Sequence, residues 1–111
     1  MAVTALNIIP AKQMENSQTT QYTATDVTTL IDKFTVTNTS GGVVTFSVNI
    51  VPLSGSASAA NLLIDNKALA IDETYTCPEI IGHIMAVSDF ISTIAGAATS
   101  LTLRASGREI T

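Results

Sequence analysis

The sequence predicts an all-β fold, a small antiparallel β-sandwich entered through an N-terminal arm, and three observations carry that prediction. Apolar and polar residues alternate with period two along Phe34–Val36 and again along Val44–Ile50. Further short runs of this kind recur to the C-terminus. Turn formers punctuate the runs so tightly that no room is left for the helices that parallel strands require. A chain of 111 residues suits one domain burying roughly two-thirds of its unfolded surface, and it needs neither disulfide nor metal to fold.

Residues 1–18 form the expected arm. Leu6, Ile8 and Ile9 make a short apolar cluster, Pro10 closes it, and the polar run Lys12 to Gln18 follows. Three large aliphatics do not float free in water. The arm either caps its own sandwich as an edge strand or adds itself to a neighbour, and Leu6, Ile8 and Ile9 are the candidate partner-binding residues. Their double replacement, Leu6→Asp with Ile8→Asp, is expected at this level to spare the sandwich and weaken partner attachment.

Residues 19–111 hold the sandwich. Strands are expected at Thr19–Ala24, Thr28–Asn38 and Val43–Leu53, with Asn38-Thr39-Ser40-Gly41-Gly42 reversing the chain so that the second and third pair as a hairpin. After the small-residue loop Ser54–Ala60, two readings compete: Ser58 caps a helical turn, or Asn61–Asp65 is a short strand. The remaining strands are Glu73–Cys77, Gly82–Val87, Phe90–Ala95 and Leu101–Ala105, separated by Asp65-Asn66, Ile71-Asp72-Glu73, Ser88-Asp89 and Gly96-Ala97-Ala98. The expected inward residues are Phe34, Val36, Val44, Phe46, Val48, Ile50, Leu69, Tyr75, Ile84, Phe90, Ile94, Leu101 and Leu103.

Charge is scarce. Phe34 to Ile64 runs 31 residues without a charged side chain or histidine, yet is too rich in Thr, Ser, Asn and Gly to span a membrane. Charged residues are 13 % of the chain, against about 25 % in ordinary soluble proteins. A neutral sheet face of Thr, Ser and Asn packs on another protein with little desolvation cost, so the composition points to assembly. Nucleic acid is excluded as a partner: net charge is −4, and Lys12, Lys33, Lys67, Arg104 and Arg108 are scattered with no aromatic platform. No secretory signal is expected at the N-terminus, and the chain is expected to fold in a cytoplasm.

Catalytic chemistry is not expected. His83 is the sole histidine and no Gly-x-Ser-x-Gly elbow accompanies it, so it reads as a satisfied structural residue. Asp26, Asp32, Asp65, Asp72, Glu73 and Asp89 read as turn formers, not as calcium ligands or a carboxylate pair. Cys77, the only cysteine, reads as a small core residue. Asn38-Thr39-Ser40 matches the glycosylation triplet by chance. Arg104 and Arg108 are available to pair with Glu109 or a partner's carboxylate.

Several stretches resemble one family: Leu30–Asn38, Val48-Asn49-Ile50-Val51-Pro52, Asp72–Glu79, Ser88-Asp89-Phe90-Ile91-Ser92 and Ser106-Gly107-Arg108-Glu109-Ile110. Together they resemble the capsid decoration, or staple, proteins of epsilon-fifteen-like short-tailed phages, from about Tyr22 to the C-terminus. The resemblance implies a jelly-roll-like β-sandwich on the outer surface of an icosahedral virion, pairing as a homodimer across two-fold positions. It also implies that the chain clamps neighbouring major capsid proteins non-covalently, with no catalytic or cofactor residues. The competing expectation is a carbohydrate- or receptor-binding sandwich on a phage tail or a surface. A small hydrolase built around His83 is a distant third.

Overall fold

The computed structural model describes residues 2–111, and the chain is a two-sheet antiparallel sandwich. Its strands are β1 (Val3–Gln13), β2 (Thr19–Thr23), β3 (Thr28–Asn38), β4 (Val44–Val51), β5 (Leu62–Leu69), β6 (Thr74–Tyr75), β7 (Ile84–Met85), β8 (Phe90–Ala95) and β9 (Leu101–Ile110). One sheet has the order β1-β9-β3-β6, with β7 also on β3; the other has the order β2-β8-β4-β5. The pairings are nested: β1 with β9, β2 with β8, β3 with β6 and β7, and β4 with β5. The chain is therefore one long hairpin with its tip between β4 and β5, rolled until β9 meets β3 and β8 meets β4. That is the jelly-roll arrangement.

The hairpin expected between β3 and β4 does not form, because these strands lie in opposite sheets. Asn38 explains the crossing. Its side-chain N–H group donates to the carbonyls of Gly42 (2.8 Å) and Leu69 (3.0 Å), while its Oδ1 accepts from the amide and hydroxyl of Ser40. A fully buried amide thus ties the end of β3 to the end of β5 across the sandwich. Asn38→Ala would leave the Leu69 carbonyl without this donor and is expected to cost about 2 kcal/mol, measured by urea unfolding.

The core lies between the sheets and includes Ile31, Phe34, Val36, Phe46, Val48, Ile91, Leu101 and Leu103. Alternation identified most of these residues. Three expected inward residues are corrected: Ile84 pairs beside Leu30 on a two-residue strand and is 65 % exposed while Met85 points inward, and Phe90 and Ile94 lie off the core side of β8, which Ile91 and Ala95 supply. Both readings of the 58–65 region hold in succession. Ser58 caps a 3-10 turn over Ala59–Asn61, and β5 starts at Leu62. Asp65-Asn66 is not a turn but part of β5, where Asn66 takes φ 48° at a register shift against β4.

The arm takes the edge-strand alternative. Residues 3–13 are a full strand of the first sheet, paired with β9 from Val3↔Ile110 to Gln13↔Thr102. Pro10 fits because β1 is an edge strand, where a missing N–H breaks no ladder. Register shifts on either side of Ile9 bend the strand over the core, which buries Ile8 and Ile9 together.

Candidate interaction surface

The charge-free stretch does not make one neutral face. Its β3 half places Thr35 and Thr37 beside Arg104 and Thr102 of β9. Arg104 donates to Asn7 Oδ1 at 2.8 Å, and Arg108 forms a two-pronged pair with Asp32 at 2.9 Å per bond. Those bonds hold the Asp32 carboxyl below its usual range, and the pair is exposed and adds little stability. The β4 half is hidden by its own loop. Asn49 donates to Ser58 O and Asn61 Oδ1, and Ser47 Oγ accepts from the Asn66 amide, so both are buried. Beside them lies an open groove of about 180 Å³ lined by Gln18, Ser47, Asn49, Ala57, Ser58, Leu62 and Ile94.

Among the described residues, four of the seven exposed large aliphatic side chains collect at one end, while Val43 and Ile71 lie beside the Val44↔Leu69 pair at the other. Val3 and Thr28 both face Ile110, Leu30 faces Ile84, and Val51 faces Phe90. The connection Ala24–Val27 bonds to Ser88 and Asp89, which closes the same end. Val3 (59 % exposed), Leu53 (66 %), Ile84 (65 %) and Val87 (50 %) therefore share one end of a molecule measuring 46 × 26 × 20 Å. Strands of 11 residues span about 37 Å, so the long axis follows the strands and this end is a narrow one. The sequence signal was visible in part: Leu53 and Val87 are aliphatics beside turn formers, where a core residue has nothing to pack on.

Beneath that end, Tyr22 bridges the sheets. Its O–H donates to Glu109 Oε2 at 2.6 Å, and since that proton is committed, the buried Thr29 hydroxyl donates back to the phenol oxygen, also at 2.6 Å. Burial, then the Glu109 carboxylate, pushes the phenol up to about 12. A raised acid pKa means the fold prefers the protonated form. This contribution is full below about pH 10, where the unfolded phenol titrates, and is lost as pH rises through about 12. Tyr22→Phe is expected to flatten that alkaline loss in urea midpoints measured across the window; an unchanged slope would show that Tyr22 does not carry it.

The other expectations fall as follows. Of the two fates of the arm, β1 in this chain shows the edge strand: Ile8 is 5 % and Ile9 1 % exposed, and Leu6 is half-buried against the same core. His83 is exposed and contributes its backbone, whose carbonyl accepts from Ile31 N. Cys77 is buried, and burial raises its thiol to about 12, leaving it in the unreactive form. Asn38, the triplet asparagine, is fully buried and out of reach of a modifying enzyme.

Asp89 and Glu73 do serve as turn formers, accepting from the amides of Ala86 and Ala70. Asp32 instead pairs with Arg108, and Glu109 serves Tyr22. Among the described residues, no three His, Cys, Asp or Glu side chains gather as metal ligands would. No helix there is long and apolar enough to cross a membrane.

No protein-family model and no curated protein matches the chain. Solved structures do. A structure of the infectious bursal disease virus Gx strain matches with TM-score 0.47 and 14 % identity, over 98 % of this chain and 33 % of that one. The crystal structure of the infectious bursal disease virus VP2 subviral particle matches with TM-score 0.49 and 11 % identity, over 98 % and 32 %. The chain thus spans about a third of the length of the proteins it matches.

Proposed function

We propose that this chain is a non-enzymatic structural virion protein that binds the outside of an icosahedral phage capsid. There it staples neighbouring major capsid proteins without covalent bonds, acting as a homodimer after synthesis in the host cytoplasm. The observation that carries this reading is the set Val3, Leu53, Ile84 and Val87 at one end of a charge-poor sandwich. Exposed aliphatics brought together by separate strands mark a contact surface. The sequence resemblance to phage decoration proteins points the same way. Many modest contacts repeated over a lattice act together, so a small domain can reinforce a shell.

The test is co-sedimentation of the purified protein with expanded and unexpanded shells of an epsilon-fifteen-type major capsid protein. Saturable binding is expected, weakened in Leu53→Asp with Val87→Asp. Absence of binding to both shells would overturn the reading.

One observation favours a second reading, a carbohydrate-binding module. The groove on the outer side of the second sheet offers amide and hydroxyl groups from Gln18, Ser47, Asn49 and Ser58. Its lining includes no aromatic ring for a sugar to stack on. Glycan-array binding lost in Gln18→Ala would favour it.

A further inference from the structure

We infer that Val3–Leu6, the unguarded half of β1, is a docking edge for the same segment of a second copy of this chain, the two strands pairing antiparallel about a two-fold axis. A sheet edge exposes unpaired backbone groups, and proteins guard it with short strands, bulges, proline or charge. Four of the five edge strands here are guarded. β2 has five residues and a register shift. β6 and β7 have two residues each. β5 has two register shifts and exposes Asp65 and Lys67.

β1 is the longest edge, with 11 residues, and its guards sit in one half of it. Pro10, Lys12 and both register shifts lie beyond Leu6. Val3, Thr4, Ala5 and Leu6 pair without interruption to Ile110, Glu109, Arg108 and Gly107 on one side, carry no charge and, among the described residues, have no strand on the other.

A second copy is the occupant that fits. The segment is neutral, so it meets itself without repulsion, whereas it has no charge to select an unlike partner. Antiparallel pairing of identical segments closes after two copies. The joined sheet would then end on β6 and β7 at both extremes, strands too short to recruit a third copy. The pairing also covers exposed Val3 and the open side of half-buried Leu6. Ala5 has the smallest side chain of the four and is placed at the axis, facing its own counterpart, which sets Thr4 opposite Leu6 and Val3 opposite Asn7 of the second copy.

Sedimentation equilibrium of the isolated protein tests this without any shell. The wild type is expected to reach twice the monomer mass in the micromolar range. Ala5→Glu brings two carboxylates together at the axis, and is expected to weaken association about tenfold or more with unchanged circular dichroism. Ala5→Ser, neutral and small, is expected to dimerise as the wild type does. Amide exchange at Val3–Leu6 should slow as concentration rises. A monomer throughout the range would overturn this inference together with the homodimer of the proposed function on which it rests, and a dimer indifferent to Ala5→Glu would overturn the inference alone; shell binding is judged on its own experiment.

Discussion

Ile9→Asp is expected to unfold the domain, not merely to loosen its N-terminus. Ile9 is 1 % exposed at the point where β1 bends over the core between two register shifts. A carboxylate there has no cation within the core cluster, and stranding an unpaired charge costs several kcal/mol, about the whole stability of a marginal domain of this size. Ile9→Ala separates charge from volume and is expected to cost about 2 to 5 kcal/mol as a cavity. Urea titration followed by circular dichroism checks both; a folded Ile9→Asp protein with an unchanged midpoint would show that β1 is dispensable.

The same reasoning reverses an expectation drawn from the sequence. Leu6→Asp with Ile8→Asp puts a charge at a buried position and is now expected to destroy the sandwich, so any loss of capsid attachment would follow from unfolding. Ala5→Glu, one residue from Leu6 but exposed, is the change that tests the edge itself.

Gly107→Ala is the second large effect expected. Gly107 faces Ile31 where β9 and β3 lie side by side, and a Cβ added there would overlap the Leu30 carbonyl oxygen. The obstacle is backbone, which no side-chain rotation relieves. Next to it, a register shift between Ile31 and Lys33 leaves Asp32 unpaired in the ladder, free to reach Arg108. Forcing β3 and β9 apart would disturb the pairing that rolls the hairpin closed. A cost of about 3 kcal/mol is expected, at the upper end for overpacking. Gly41→Ala has no atom near the added Cβ and serves as the neutral control. Equal urea midpoints for the two variants would show that the β3–β9 contact yields more easily than its geometry implies.

Much of the fold was legible in local pattern. Thr28–Asn38 and Phe90–Ala95 were delimited as the structure has them, because turn formers bound both runs. β9 was read too short, ending at Ala105, and runs on through Gly107 to Ile110. The glycine is the residue that lets two strands approach closely. The candidate surface was less legible. Ile84 follows the alternation of an inward residue, and only its place on a two-residue strand turns it out to solvent.

By itself the sequence determined the all-β class, most strand positions, the small charge and the single buried thiol, since these follow from side-chain chemistry and spacing within a few residues. Tertiary structure alone decided which strands are partners. β1 meets β9 and β2 meets β8 across nearly the whole chain, and such pairings are chosen by global burial, not by any neighbouring turn. That choice sent β3 and β4 to opposite sheets, put two arginines beside the threonine face, folded a loop over Ser47 and Asn49, and drew four distant aliphatics to one end. It also left half of one edge strand unguarded, because an edge exists only once every other strand has found its neighbours.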